Sequence, residues 1–132
     1  MGRLFLDANV LFSAAYKKDS ALLQLWKLED VTLVSSRYAL EEARINLPEA
    51  AHARLDKLAA RLVLYEAGPA ELVEDIILPG KDMPILSAAI IGKATHLITG
   101  DWKHFGKYFG KTLSGVLVLP PSVYLKKRSK TS

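Results

Sequence analysis

The sequence contains no cysteine among its 132 residues. This absence excludes a disulfide-stapled scaffold and any metal site built from thiolates. No apolar run approaches the roughly 18 residues that a membrane-spanning helix needs. A single Arg and a short apolar run precede Asp7, unlike a secretory signal peptide. We therefore expect a cytoplasmic protein that has no membrane partner.

Acidic residues are almost missing from the last part of the chain. Residues 1–82 carry 10 cations and 13 anions, whereas residues 83–132 carry 8 cations and one anion, Asp101. This asymmetry indicates either an acidic metal site beside a basic face for an anionic polymer, or a solvated basic surface. Four of the cations fall within residues 126–132, which we predict to be a disordered basic tail.

The rest of the chain, residues 1–125, is predicted to form one globular domain. Apolar or β-branched runs predict strands at residues 4–6, 31–34, 63–65, 96–99 and 116–119. Helical patterns fall between them, at residues 9–15, after Asp19 or Ser20, after Ser35 or Ser36, after Pro48, near 72–76 and at 84–91. This alternation predicts an α/β fold with a mainly parallel sheet.

Carboxylates occur at the boundaries of the buried segments. Asp7 and Asp101 each follow a predicted buried strand, Asp82 precedes an almost wholly apolar helix, and Glu41 and Glu42 lie in another helix. Parallel strands place their carboxyl ends at one edge of the sheet, so these acids can converge. Crowded carboxylates repel one another unless a cation neutralises them, and Mg²⁺ or Mn²⁺ suits oxygen ligands.

Each acid also has an ordinary structural interpretation. Asp7, together with Asn9, fits a turn or a helix N-cap, and Asp82 fits an N-cap on local evidence. Asp101 fits a turn, and the two glutamates fit a solvent-facing side of a helix. The joint pattern is more informative than any single member.

Four segments in order resemble the successive motifs of PIN domains, the PilT N-terminal family that includes VapC-like toxin ribonucleases. They are residues 6–11 (LDANVL), 36–43 (SRYALEEA), 81–89 (KDMPILSAA) and 97–105 (LITGDWKHF). The resemblance implies an α/β/α sandwich and a divalent-metal-dependent endoribonuclease. It also covers nearly the whole chain up to Pro121.

The resemblance assigns site residues by position. The catalytic acids fall on Asp7, Glu42, Asp82 and Asp101, with Glu41 as the fallback for Glu42. The metal ligands among them are Asp7, Asp82 and Asp101, and Asn9 and Thr99 fall on supporting polar positions. Some members have a second acid shortly after the last one. This chain has His104 in that neighbourhood, so the number of metal ions stays open.

A basic surface could accommodate the polyanion. Lysines recur every four residues at Lys103, Lys107 and Lys111, and Lys93 lies upstream. Trp102 or Tyr108 could stack on an unpaired base. The lysines could alternatively form a solvated helix face. We assign His104 to substrate contact, and the alternative for it is a structural role.

The sequence therefore predicts a Mg²⁺- or Mn²⁺-dependent ribonuclease for single-stranded RNA, either a toxin with a small protein antitoxin or a stand-alone nuclease. One alternative is a non-catalytic RNA-binding or scaffold PIN module. Another is a phosphatase with Asp7 as nucleophile, which is disfavoured because Asn9 stands where a second Asp is expected. A homodimer is also expected. Trp26, Leu22 and Leu25 could serve its interface or could equally belong to the core.

Overall fold

The computed structural model describes residues 2–68, 78, 80 and 82–131. These residues form a six-stranded sheet in the order β3-β2-β1-β4-β6-β5. Its strands are β1 Gly2–Leu6, β2 Val31–Ser36, β3 Val63–Tyr65, β4 His96–Ile98, β5 Thr112–Leu113 and β6 Val116–Leu119. All neighbouring pairs are parallel except β5 with β6. The predicted α/β/α fold with a mainly parallel sheet is confirmed.

Helices flank the sheet. They are α1 Ala8–Tyr16, α2 Arg37–Asn46, α3 His52–Ala59, α4 Met83–Ile91, α5 Trp102–Phe105 and α6 Pro121–Thr131. Short 3-10 turns cover Ala21–Lys27, Glu49–Ala51 and Gly106–Tyr108. Helix α1 packs against α2 and α3, and α4 packs against β2, β3 and β4. The predicted helix near residues 72–76 lies outside the described residues.

The core lies between the sheet and these helices. Leu4, Phe5 and Leu6 in β1 are fully buried, as expected for a central strand covered on both faces. Helix α4 is buried from Ile85 through Ala89, whereas Ile91 at its end is 42% exposed.

The segment that begins after Ser20 belongs to the core. The Ser20 hydroxyl accepts a hydrogen bond from the Leu22 amide, but the segment forms a 3-10 turn instead of an α-helix. Leu25 and Trp26 are buried, and the Trp26 indole donates a hydrogen bond to the Leu58 carbonyl. Leu22 packs against the same core. Of the two interpretations open in the sequence, the structure favours the core over a dimer interface.

Two expectations about basic residues are wrong in this structure. Residues 126–131, expected to be a disordered tail, continue α6, and Arg128 pairs there with Asp30. The lysine repeat does not follow one helix. Lys103 lies in α5, Lys107 in the next 3-10 turn, and Lys111 beyond both, because α5 ends at Phe105.

Among the described residues, no helix has both the length and the apolar character needed to cross a bilayer.

Candidate metal centre

The order of strands changes direction beside β1. The chain runs outward from β1 to β2 and β3 on one side, and then returns to place β4 on the other side of β1. Open α/β sheets bind ligands at such a switch point, beyond the carboxyl ends of the strands. Leu6 pairs with Ile98 in register, so Asp7 and Thr99 follow directly at this edge. The sheet topology thus positions the first site residues.

Asp7 is only 3% exposed and lies at the N-cap of α1. Its Oδ1 accepts a hydrogen bond from the Ala8 amide at 2.7 Å, and its Oδ2 accepts one from the Thr99 hydroxyl at 2.8 Å. Burial raises the pKa of Asp7 to about 6, and the charges of Asp82 and Asp101 add to the rise, although these hydrogen bonds oppose it. A bound cation would reverse the effect of the neighbouring charges.

Asn9 and Thr99 tie the ends of β1 and β4 together. The Asn9 amide group donates to Asp7 Oδ2 at 3.1 Å, and Asn9 Oδ1 accepts from the Gly100 amide at 2.8 Å. The Thr99 hydroxyl, buried at 0% exposure, also accepts from the Asp101 amide at 3.1 Å. Both residues therefore hydrogen-bond to Asp7, and Thr99 also holds the backbone of Asp101.

Asp82 and Asp101 meet at one histidine. His104 Nδ1 lies 2.9 Å from Asp82 Oδ2 and 3.0 Å from Asp101 Oδ2. Asp101 also caps α5, because its Oδ1 accepts from the His104 amide at 3.1 Å. Asp82 occupies the N-cap position of α4 without a side-chain cap hydrogen bond. These three side chains form a group with donor atoms close enough to hold one metal ion.

The fourth acid comes from α2. Glu42 lines a cavity of about 420 Å³ together with Asp7, Asp82 and Asp101. Glu41 is not among the residues that line it, and its carboxylate lies 4.0 Å from Arg44 with the side chain 66% exposed. The geometry thus brings Glu42, and not Glu41, to the other acids.

Two polar residues of this cavity, Ser13 and Asn46, were not predicted from the sequence. Ser13 follows Asn9 by four positions on α1, and Asn46 follows Glu42 by four on α2, so each pair shares a helix face and lines the cavity. That spacing was the available signal. Desolvation raises the pKa of the Tyr38 hydroxyl, and the charges of Glu42, Asp82 and Asp7 raise it further, although Tyr38 does not line the cavity.

The residues predicted to contact the substrate do not lie together in the structure. His104 enters the acid cluster itself. Trp102 is 73% exposed and contacts Phe109 edge-on at 4.9 Å between ring centroids, and the Lys107 ammonium lies 5.1 Å from the centroid of the Tyr108 ring. Neither Trp102, Lys103 nor Lys107 is among the described residues that line the cavity.

A protein-family profile matches most of the chain. Residues 3–103 match the family profile of the PIN domain. The chain therefore belongs to the PIN domain family. No curated protein gives a significant match.

Solved structures share the fold. VapBC2 from Rickettsia felis, bound to a DNA fragment from its promoter, contains a chain that matches with a TM-score of 0.65 at 20% identity. The match covers 89% of this chain and 98% of that one. FitAB bound to the IR36 DNA fragment matches with a TM-score of 0.54 at 17% identity, over 89% of this chain and 94% of that one.

Proposed function

We propose that this PIN domain is a divalent-metal-dependent endoribonuclease that hydrolyses phosphodiester bonds of single-stranded RNA. The observation that carries the proposal is the convergence of four carboxylates, from four separate elements, on one cavity. They are Asp7, Glu42, Asp82 and Asp101.

The donor set suits Mg²⁺ or Mn²⁺. Carboxylate oxygens are the ligands that such hard cations prefer. The raised pKa of Asp7 results in part from Asp82 and Asp101, so these acids are close enough to repel one another. A cation held by Asp7, Asp82 and Asp101 would relieve that repulsion.

The residues then have separable tasks. A divalent cation in such a site activates water and stabilises the negative charge that develops on a phosphodiester. Asn9 and Thr99 hold Asp7 in one orientation, and the Thr99 hydroxyl also anchors the Asp101 amide. Glu42 enters from α2, and we assign its carboxylate the role of receiving a proton from the attacking water.

Substrate binding is assigned to the surface next to the cavity. Trp102 and Lys103 lie one and two residues beyond Asp101, at the start of α5, and both are exposed. An exposed indole can stack on any unpaired base, and lysines contact phosphates without reading sequence. These features support a single-stranded polyanion as the substrate.

A small antitoxin is the proposed protein partner. The support is the fold shared with chains of VapBC2 and FitAB, two assemblies whose structures were solved on DNA. Co-expression with any short reading frame that adjoins its gene, followed by size-exclusion chromatography with light scattering, tests for a complex. The same measurement on the protein alone tests the homodimer, and its cytoplasmic location stays a prediction.

The nuclease assignment is tested by incubating the full chain with a single-stranded RNA, and with DNA of the same sequence, in Mg²⁺, Mn²⁺ or EDTA. We expect internal cleavage of RNA with metal and none in EDTA. Asp82→Asn should slow it by at least about a hundredfold. Asp30→Asn is the matched control, because Asp30 pairs with Arg128 and does not line the cavity.

Failure of the wild type to cut either polymer with either ion would contradict the proposal. Equal cleavage of DNA would correct the substrate class. The alternative is a non-catalytic RNA-binding or scaffold module. That module would bind RNA without metal-dependent cleavage.

A further inference from the structure

We propose that His104 is itself a metal ligand, through Nδ1, and that it gives the centre a preference for Mn²⁺ over Mg²⁺. This inference rests on the proposed function and deepens it by naming a nitrogen ligand in a centre otherwise built from carboxylates.

The imidazole of His104 lies close to two carboxylates. His104 Nδ1 lies 2.9 Å from Asp82 Oδ2 and 3.0 Å from Asp101 Oδ2. Neighbouring ligands of an octahedral ion with bonds of about 2.1 Å are separated by about 3.0 Å. The nitrogen therefore stands at ligand spacing from both oxygens.

The start of α5 and its surroundings hold the His104 imidazole in place. Asp101 Oδ1 accepts a hydrogen bond from the His104 amide, so the start of α5 fixes the backbone of both residues. The His104 side chain is 18% exposed and that of Asp82 is 9% exposed. A ring confined in this way faces the two carboxylates, whereas a surface histidine that contacts substrate would point toward solvent.

The role of the His104 ring nitrogen depends on its tautomer. When Nδ1 carries the hydrogen, it donates to Asp101 Oδ2 at 3.0 Å. The other neutral tautomer carries its hydrogen on Nε2 and directs the Nδ1 lone pair at the same place. One ring position therefore serves both states, as a hydrogen-bond donor without the ion and as a ligand with it.

The expected preference for Mn²⁺ over Mg²⁺ follows from the nitrogen donor of His104. Mg²⁺ strongly favours oxygen ligands, whereas affinity for mixed nitrogen and oxygen sites rises along the transition-metal series that begins with Mn²⁺. Replacing one oxygen ligand with an imidazole nitrogen should thus cost Mg²⁺ more affinity than it costs Mn²⁺.

The test is pulsed electron paramagnetic resonance on the full chain loaded with Mn²⁺. Directly bound nitrogen modulates the electron spin echo, and labelling histidine with ¹⁵N changes that modulation. We expect a nitrogen signal in the wild type, sensitive to the label, that is lost in His104→Gln. The variant should bind Mn²⁺ at least about tenfold more weakly, with a smaller change for Mg²⁺.

His96→Gln is the matched control. His96 begins β4, at the opposite edge of the sheet from Asp101, and lines a different cavity. It should keep the nitrogen signal and the affinity for Mn²⁺. Circular dichroism checks that both variants fold, and the labelled wild type decides the point if His104→Gln does not.

The outcomes separate this inference from the function on which it rests. Mn²⁺ that binds to the wild type without a histidine signal would overturn the ligand role of His104 and leave the nuclease proposal intact. A signal that persists in folded His104→Gln would do the same. Absence of any Mn²⁺ or Mg²⁺ binding by the wild type would overturn both.

Discussion

The Thr99 hydroxyl donates a hydrogen bond to Asp7 Oδ2 over 2.8 Å, and this contact joins residues that are 92 positions apart in the chain. It links the carboxyl ends of β1 and β4, where the strand order reverses. The same oxygen of Thr99 accepts a hydrogen bond from the Asp101 amide. One buried hydroxyl thus connects two of the four acids.

Removing that hydroxyl should disturb the centre more than the fold. Thr99→Val keeps the shape of the side chain but leaves Asp7 Oδ2 without its shortest hydrogen bond. We expect a loss of stability of about 1–3 kcal/mol, because a buried acceptor loses a partner. Cleavage should slow about tenfold or more, measured under single-turnover conditions. Thr32→Val is the control, because Thr32 lies at the amino end of β2, away from the acids, and it should change neither the cleavage rate nor the metal affinity. An unaffected cleavage rate in Thr99→Val would refute the role of Thr99.

The neighbouring glutamates offer a matched pair. Glu42 lines the cavity, whereas Glu41 lies beside Arg44 at the surface. Glu42→Gln should reduce the cleavage rate by about a hundredfold or more, because it removes the proposed proton acceptor. Glu41→Gln should leave the rate within about twofold. The reverse result would transfer the catalytic role to Glu41.

Asp7 should make the metal-free protein less stable as pH rises. Its pKa is 3.8 in the reference state and about 6 in the fold, so its favourable contribution is complete below pH 3.8 and is lost as pH rises through 6. Asp7→Asn imitates the protonated form. Its free energy of unfolding relative to wild type should therefore increase by up to about 3 kcal/mol between pH 3.5 and pH 8.

Urea unfolding of both proteins in EDTA, at several pH values, measures this difference. Asp7→Asn also loses one acceptor oxygen, and that loss has the same effect at every pH. The prediction therefore concerns how the difference in free energy of unfolding changes with pH, and not its absolute size. A difference that stays constant with pH would show that Asp7 is not destabilised by its surroundings.

Metal binding should stabilise the fold. A ligand that binds only the folded state at 100 times its Kd adds about 2.7 kcal/mol, which corresponds to a rise in Tm on the order of 10 °C for a domain of this size. Thermal unfolding with Mn²⁺ and with EDTA measures it. Asp82→Asn should abolish most of the rise, and Asp30→Asn should retain it. A wild-type Tm that is the same in both conditions argues against a metal centre.

Trp102 should affect RNA binding without affecting metal binding. Its indole is 73% exposed, whereas Trp26 is 7% exposed, so Trp102 is the tryptophan that RNA can reach. Trp102→Ala should weaken binding of single-stranded RNA by about 1–3 kcal/mol if a base stacks on the ring. Fluorescence anisotropy of labelled RNA, in Ca²⁺ or EDTA to prevent cleavage, measures this. Unchanged affinity would exclude stacking at Trp102.

Local patterns predicted the elements well where one physical preference dominated. The buried runs of β1 and β6 and the Ser36 cap of α2 lie where apolar composition and capping chemistry placed them. The patterns failed where a tertiary contact overrides local preference. The end of α6 is helical with Arg128 paired to Asp30, a residue from the turn before β2, and no pattern within residues 126–132 shows that partner.

An N-cap position and a place in the cavity coincide for three of the acids. Asp7, Asp82 and Asp101 all occupy N-cap positions, at α1, α4 and α5, and all three line the same cavity. In a parallel α/β sheet the helices begin where the strands end. The partly positive helix N-termini are therefore found at the same edge as the acids and favour their charge.

By itself, the order of residues determined which side chains could serve the chemistry: a carboxylate after each of two buried strands, another before a buried helix and a glutamate pair on a third element. Only the tertiary structure brought Glu42, and not Glu41, to the cavity, brought His104 between Asp82 and Asp101, and placed Trp102 outside the cavity. The reason is physical. Chemical type is local to a residue, whereas distance between residues far apart in the chain depends on how strands pair and helices pack.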